Sequence, residues 1–171
     1  GWEFQVPNEL TVNFRGEFLR QFVLADRWLD LMATTTASLG TGFTNAKQMV
    51  ELRIGTLTDL KRSAFSNALV GENKEDIRLQ FYFVAGIGME YVVQNITIQG
   101  SIWNNEAPHV ENIAPWVRHM RFGFVTSTPK LTFKVLYNWL GPEVKEVGWH
   151  SYVGLELNIR FVSRINKKIN K

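Results

Sequence analysis

The segment from Tyr152 to Phe161 alternates apolar and polar residues without interruption and ends on an aromatic residue. Successive side chains of a β-strand point to opposite faces, so this alternation predicts a strand with one apolar and one polar face. A length of about ten residues is that of a tilted strand that crosses a membrane. The apolar positions are Val153, Leu155, Leu157, Ile159 and Phe161, and the polar-face positions are Gly154, Glu156, Asn158 and Arg160.

The same alternation recurs along the chain and predicts about eight strands, an even number. The fold class predicted from it is all-β, an antiparallel transmembrane β-barrel, with a soluble β-sandwich that binds sugars as the alternative. The predicted strands cover Leu10 to Phe18, Leu29 to Ala37, Ala46 to Ile54, Ile77 to Ile87, Ile96 to Trp103, Trp116 to Thr126, Leu131 to Trp139 and Tyr152 to Phe161.

The average composition is compatible with both fold classes. Hydrophobic residues make up 45% of the 171 residues and the mean hydropathy is -0.11. Alternation prevents a long apolar block, and the best run, Phe81 to Met89, is far shorter than the roughly twenty residues of a membrane helix. The absence of cysteine excludes disulfides and thiolate metal sites and suits passage through an oxidising periplasm. The net charge of +3 and the scattered basic residues argue against a nucleic-acid partner.

The predicted connections alternate strictly between short and long. Short turns at one rim and long loops at the other are typical of outer-membrane barrels, with the long loops outside the cell. Five tryptophans lie beside long connections, which favours an interfacial girdle over the buried aromatic core of a sandwich. The short connections cover 40–44, 90–95 and 127–130, the long ones 20–27, 57–75, 104–114 and 141–150, and the tryptophans are Trp28, Trp103, Trp116, Trp139 and Trp149.

No catalytic or metal-binding residue is predicted from side-chain spacing. A nucleophile and its base need one face of a strand, but His150 and Ser151 are adjacent and point to opposite faces. His119 is followed two positions later by Arg121, which is no nucleophile. His109 lies near Glu106 and Glu111, where a solvated loop is the alternative to a metal site.

Charged residues on the predicted polar faces form the more informative set. Inside a narrow barrel they must pair, because an isolated buried charge costs several kcal/mol or more. A network of salt bridges and a catalytic carboxylate pair are both open interpretations. The set contains Arg15, Glu17, Glu51, Arg53, Glu156 and Arg160.

Four segments, in this order, resemble the outer-membrane lipid A 3′-O-deacylases. They are Gly1-Trp2-Glu3-Phe4-Gln5 with Asn8-Glu9, Val50-Glu51-Leu52-Arg53-Ile54-Gly55, Ile98-Gln99-Gly100-Ser101-Ile102-Trp103-Asn104, and Gly141-Pro142-Glu143-Val144-Lys145 followed by His150. The resemblance covers nearly the whole chain and implies the later part of a barrel of roughly twelve strands. It implies residues 1–161 as the barrel segment and 162–171 as a basic tail.

The resemblance implies a calcium-dependent esterase of the bacterial outer membrane that removes the 3′-linked acyloxyacyl chain of lipid A. The family's catalytic residues belong before the Gly-Trp motif, here Gly1-Trp2, so none is carried onto this chain, which by itself is expected to be inactive. No calcium ligand is identifiable. Implied partners are lipid A, membrane lipid and the barrel assembly machinery, with a monomeric state. A complete small structural or adhesive barrel is the alternative.

Two further expectations concern residues outside the strands. Gly1 follows neither an initiator Met nor a signal segment, so the sequence is expected to begin inside a longer or processed protein. Residues 57–69 contain enough helix formers for a short helix at the outer rim, where Lys61 and Arg62 are the candidate substrate-binding residues for anionic headgroups; a solvated pair is the alternative.

Overall fold

The computed structural model describes residues 10–58, 79–103, 111–128 and 130–159. Within these residues, one antiparallel sheet contains seven strands in sequence order. The predicted all-β antiparallel fold is therefore confirmed. The elements are β1 (Asn13–Ala25), β2 (Leu29–Gly40), β3 (Phe43–Thr56), β4 (Gln80–Asn95), α1 (Ile96–Gln99), β5 (Trp116–Ser127), β6 (Leu131–Leu140) and β7 (His150–Ile159).

Alternation gives this sheet two chemically different faces. The apolar face carries large exposed side chains, for example Phe83 at 58% and Leu155 at 71% exposure. The polar face carries charged and amide side chains, of which Asp30, Glu51 and Arg53 are among the buried ones. Cross-strand register keeps each face continuous, because it aligns Leu52, Ala85, Phe122, Tyr137 and Val153 in one row of the apolar face.

The sheet curves around its polar face. Side chains from all seven strands, from Arg15 on β1 to Glu156 on β7, line one cavity of about 310 Å³. Strands β1 and β7 are the two edges of the sheet and are not paired with each other in the described residues. Because each strand is antiparallel to the next, β1 and β7 run in the same direction.

Two sets of connections lie at the two ends of the strands. Among the described residues, rim I holds 41–42, 96–103, 111–115 and 141–149, and rim II holds 26–28, 57–58, 79, 128 and 130. The strictly alternating short and long connections predicted from the sequence are wrong, since each rim has both kinds.

One element explains most of this error. The predicted strand Ile96 to Trp103 is not a strand; Ile96–Gln99 is a helical turn. Asn95 caps it by accepting a hydrogen bond from the Thr97 backbone N–H at 3.1 Å, and Gly100 ends it with φ 76. The strand β4 continues through residues 90–95, which were predicted as a turn, and β1 continues through residue 25. The long connection from β3 to β4 and the one from β4 to β5 consequently begin at opposite rims.

The tryptophans divide unequally between the rims. Trp103, Trp116, Trp139 and Trp149 lie at rim I, where the rings of Trp139 and Trp149 are 5.7 Å apart. Trp28 lies in the turn 26–28 at rim II. The predicted girdle is therefore present at rim I, and the assignment of Trp28 to the same rim is wrong.

The turn at residues 41–42 is fixed by the start of β1. The Asn13 side-chain oxygen accepts hydrogen bonds from the Gly42 and Phe43 backbone N–H groups at 3.2 and 2.9 Å. A Cβ on Gly40 would lie 2.4 Å from the Val12 carbonyl oxygen, so this position needs glycine.

At rim II, the first residues after β3 pack on the polar face of the sheet. Leu57 is buried and packs with Tyr82 and Val125. Its backbone N–H donates to the Arg27 carbonyl at 2.8 Å, which joins the two connections. In the described residues, no helix has the length and apolar character needed to cross a membrane.

Candidate functional site

The polar face brings the predicted interior charges into pairs. Arg53 binds Asp30, Glu51 binds Arg121, and Glu156 binds Lys134. Arg15 and Glu17 approach each other to 4.0 Å at the β1 edge. Arg160 lies outside the described residues. Each described charge of the predicted set therefore has a partner of opposite sign, as expected for a lumen network.

The most buried pair is Asp30 and Arg53. Arg53 Nε donates to Asp30 Oδ1 at 2.7 Å and Nη2 to Oδ2 at 2.5 Å, and the side chains are 0% and 2% exposed. Gln21 Nε2 donates to Asp30 Oδ2 at 2.6 Å, and the guanidinium carbon lies 5.2 Å from the Tyr82 ring centroid. This bidentate geometry with additional donors is what stabilises a charge pair away from water.

A second pair occupies the centre of the sheet. Arg121 Nη1 donates to Glu51 Oε1 at 3.3 Å and its Nε donates to Asn138 Oδ1 at 2.9 Å. Gly86 lies between Glu51 and Arg121 in register. A Cβ on Gly86 would be 2.5 Å from Glu51 Cγ, so the glycine provides the space in which the Glu51 side chain lies.

A third group lies toward rim II on β6 and β7. Lys134 Nζ is 3.0 Å from Glu156 Oε1, and Asn158 Nδ2 donates to the same oxygen at 2.5 Å. The hydroxyl groups of Ser127 and Thr132 are 2.7 Å apart in the next row. These contacts connect β5, β6 and β7 through side chains as well as through the backbone.

The histidines have no catalytic partner in the part of the chain that the structure describes. His119 Nε2 is 2.8 Å from Glu90 Oε2 on the polar face, and no hydroxyl group bonds to it. His150 is 3.9 Å from the exposed Glu143 at rim I. His109 lies outside the described residues. A carboxylate–imidazole pair without a nucleophile orients a ring but forms no acyl intermediate.

The arrangement favours the salt-bridge interpretation over a catalytic carboxylate pair. In the described residues, each buried interior carboxylate contacts a cation rather than a second carboxylate. A carboxylate held by a cation and further donors stabilises the wall rather than acting as a nucleophile. The cavity between the strands is nevertheless polar, because Lys47, Arg121 and Lys134 line it together with Glu51 and Glu156.

The partners Asp30, Arg121 and Lys134 were missing from the predicted set. Lys134 and Arg121 occupy polar-face positions of clearly alternating runs, so alternation alone could have included them. Asp30 lies in the weakly alternating β2, and only its register opposite Arg53 shows its role. The predicted substrate-binding residues Lys61 and Arg62 lie outside the described residues.

In the part of the chain that the structure describes, no metal ligands come together on either face. Among residues 10–58, 79–103, 111–128 and 130–159, no group of three or more His, Cys, Asp or Glu side chains is placed to hold a metal ion. The interior carboxylates Asp30, Glu51 and Glu156 each contact a basic side chain instead. The described residues therefore supply no such group of ligands, and the calcium that the family resemblance implies stays an expectation.

Comparisons with known proteins agree with the motifs. A model of the family described as "Outer membrane protein LpxR" matches residues 1–161. The solved structure of LpxR from Salmonella typhimurium has the same fold, with a TM-score of 0.71 and 18% sequence identity, and the alignment covers 94% of this chain and 55% of that one. This chain thus spans about half the length of that structure. No curated protein matches. The chain belongs to the LpxR family of outer membrane proteins, the lipid A 3′-O-deacylase family that its motifs predicted.

Proposed function

We propose that this chain forms part of the wall and of the interior of an outer-membrane esterase. This esterase removes the 3′-linked acyloxyacyl chain of lipid A. The family match over residues 1–161 is the observation that carries the proposal. In this proposal the apolar face contacts membrane lipid, and the residues that perform the chemistry lie in a part of the protein before Gly1. Insertion by the barrel assembly machinery and a monomeric state belong to the same proposal.

The role proposed for the described residues is structural support of that site. On the polar face, Asp30 and Arg53 join the neighbouring strands β2 and β3, and Glu51 and Arg121 join β3 to β5 across β4. No nucleophile and base lie together in the described residues, so the chain alone should not hydrolyse an ester.

Mass spectrometry of lipid A tests the activity. The full-length protein and the chain 1–171 are each folded in detergent, their folded state is checked by heat-dependent gel mobility, and both are incubated with lipid A and calcium. The full-length protein should remove one 3′-acyloxyacyl group and the chain alone none. If lipid A stays intact in the presence of the folded full-length protein, the structural or adhesive barrel is favoured. If the chain 1–171 alone hydrolyses lipid A, the catalytic residues lie within this chain.

Calcium dependence is a separate part of the proposal. The full-length protein is treated with a chelator and then given calcium or magnesium. Activity that returns with calcium only would support the family property, with ligands outside the described residues. Activity that survives chelation would remove calcium from the proposal.

Lys61 and Arg62 are proposed to bind lipid A headgroups on the condition that rim II faces the outside of the cell. Replacing both with Ala in the full-length protein should weaken lipid A binding at low salt and matter less at high salt, because ions screen such contacts over about 8 Å at physiological ionic strength. Cleavage of the 57–79 connection by protease added to intact cells tests the orientation. Cleavage only after the protease enters the periplasm would refute the headgroup contact.

A further inference from the structure

Arg20 carries a charge on the otherwise apolar face of the sheet. It is exposed and shares this face with Phe18 and Phe22, which are 64% and 41% exposed. Leu19, the residue between Phe18 and Arg20, lines the interior cavity instead. The guanidinium carbon of Arg20 lies 5.0 Å from the centroid of the Phe22 ring, so the charge is placed among apolar side chains.

Arg20 lies in the middle of β1, away from both rims. The strand covers Asn13–Ala25. Beyond Phe18, Phe14 continues the apolar face toward rim I at 72% exposure. At about 3.4 Å per residue, the rim II end of β1 is about 17 Å from Arg20, and the rim I end is farther away. An arginine side chain is shorter than these distances, so the guanidinium stays within the apolar band.

The position along the strand, rather than the row across the sheet, sets this depth. Register places Arg20 in one row with Ala33 on β2 and, farther across the sheet, with Trp139 of the rim I girdle. Trp139 is next to the last residue of β6, whereas Arg20 is central in β1. The strand ends are therefore staggered, as expected for strands that tilt in a membrane barrel. The level of the girdle consequently reaches β1 nearer to rim I than Arg20.

A lone arginine at this depth destabilises a membrane barrel. Near the middle of the bilayer, a lipid-facing arginine raises the equilibrium constant for unfolding roughly 30- to 700-fold over an apolar residue. In the part of the chain that the structure describes, Arg20 forms no ion pair or hydrogen bond, and Ala33 lies opposite it on β2. The Phe22 ring attracts the cation but carries no counter-charge.

The free edge of β1 is the place where a counter-charge fits. Among the described strands, β1 is paired with β2 on one side only, and a membrane barrel leaves no edge unpaired. The seven strands follow one another in sequence order, so the neighbour that fits this edge is the strand that precedes β1 in the full-length protein. Opposite residues of antiparallel strands point to the same face, with Cβ atoms about 4.5–5.5 Å apart.

We propose that Arg20 forms an ion pair with an Asp or Glu on the lipid-facing side of the strand that precedes β1. A carboxylate fits better than a lipid phosphate, because the guanidinium points toward Phe22 inside the apolar band and lipid phosphates lie outside that band. A carboxylate also binds a guanidinium through two parallel hydrogen bonds. The pair fixes the register between the described sheet and the preceding strand, since a slip by one residue moves the acid to the interior face.

The sequence of the full-length protein gives the first test. The strand before β1 should carry an acidic residue at an outward position that can lie opposite or diagonal to Arg20. A preceding strand whose outward positions contain no Asp or Glu would overturn the proposal. This test and the following ones measure pairing and stability, so their outcome is independent of ester hydrolysis.

Urea titration of the full-length protein in phospholipid vesicles measures the pair. Arg20→Leu should raise the equilibrium constant for unfolding at least roughly tenfold, because the neighbouring carboxylate loses its counter-charge within the membrane. A lower constant in Arg20→Leu, as expected when an unpaired lipid-facing arginine is removed, would overturn the pair. The loss should persist in dodecyl maltoside micelles, which contain no phosphate. A loss in phospholipid only would assign Arg20 to a lipid phosphate and also overturn the pair.

Arg118 is the matched control. It points to the same face as Arg20 but lies two positions from Trp116, near the rim I end of β5. Arg118→Leu should change the equilibrium constant for unfolding by less than roughly fivefold, because a lipid-facing arginine near the interface costs little. A rise in Arg118→Leu equal to that in Arg20→Leu would overturn the proposal, since the effect would then not depend on depth.

Crosslinking covers the case in which Arg20→Leu does not fold. This chain has no cysteine, so cysteines are introduced at Arg20 and at the acidic position of the preceding strand. The folded double variant should be crosslinked by dibromobimane, a short bifunctional thiol reagent. A variant with the second cysteine four positions along the preceding strand should not be crosslinked. A folded double variant without a crosslink would overturn the pair.

Discussion

The ion pairs Asp30–Arg53 and Arg15–Glu17 lie on the same polar face but in opposite surroundings. Asp30 and Arg53 are 2.5 Å apart with side chains 2% and 0% exposed, whereas Arg15 and Glu17 are 4.0 Å apart with side chains 64% and 47% exposed. The first pair joins β2 to β3, and the second lies within the edge strand β1.

The difference shows that the position in the sheet, rather than the residue type, decides what a charge contributes. Strands β2 and β3 each have two neighbours, whose side chains exclude water and add donors such as Gln21. Strand β1 has one neighbour in the described residues. A buried charge that loses its partner is destabilising, whereas an exposed pair contributes little.

The largest effect is expected from breaking the most buried pair, Asp30–Arg53. Asp30→Ala removes the carboxylate that binds the buried Arg53 guanidinium at two positions and should lower the free energy of unfolding by about 3 to 5 kcal/mol. A urea titration of the full-length protein in lipid vesicles measures it. Arg53→Met added to Asp30→Ala should recover part of the loss, because an apolar pair needs no counter-charge. If Asp30→Ala lowers the free energy of unfolding by less than about 1 kcal/mol, the difference between the buried and the exposed ion pair is contradicted.

Substitutions on the other edge strand, β7, test which face of the sheet contacts lipid. Leu157 is 60% exposed on the apolar face, and Asn158 follows it on the polar face beside Glu156. Leu157→Arg should cost clearly more than Asn158→Arg, although less than the roughly 2 to 4 kcal/mol expected at the middle of the bilayer, because the row of Leu157 ends at Thr56 near rim II. Equal losses in the vesicle titration would contradict the assignment of the faces.

Substitution of glycines compares the centre of the sheet with its edge strand β1. Gly86→Ala places a methyl group 2.5 Å from Glu51 Cγ, and overpacking of this kind should cost about 1 to 3 kcal/mol. Gly16 on β1 is the control, because a Cβ there meets nothing within 4 Å. Gly16→Ala should be neutral or stabilise by up to about 1 kcal/mol. A matching loss at both positions would mean that crowding at Glu51 is not the cause.

The smallest effect is expected at the exposed pair. Arg15→Ala should change the free energy of unfolding by less than about 1 kcal/mol, and the change should shrink in high salt. The same titration at two salt concentrations measures it. A salt-independent loss comparable to that of Asp30→Ala would show that Arg15 is buried in the full-length protein.

Alternation in the sequence was sufficient to predict the fold class and the faces of most strands. It failed at Ile96 to Trp103, where β-branched residues alternate as in a strand, but Asn95 and Gly100 cap a helical turn. It also ended β1 and β4 too early, because residues such as Phe22 and Tyr91 continue the ladder without a clear polar alternate.

The candidate site could be predicted only in part. Alternation assigns Glu51 and Arg53 to the polar face, but it does not say which residue lies opposite on the next strand. The register of the strands places Asp30 opposite Arg53. It also brings Glu51 to Arg121 across Gly86, although Glu51 and Arg121 are 70 positions apart in the sequence. Register depends on turns and bulges, such as the shift between Thr44 and Asn45, that a period of two does not contain.

The shared direction of β1 and β7 restricts how a barrel that contains this sheet can close. A closed barrel whose neighbouring strands are all antiparallel has an even number of strands. The seven described strands leave two edges that run in the same direction, so direct closure would pair these edges in parallel. Two copies of the sheet in the same orientation would bring parallel edges together as well. Only an odd number of additional strands, inserted between β7 and β1, gives every strand an antiparallel neighbour on both sides.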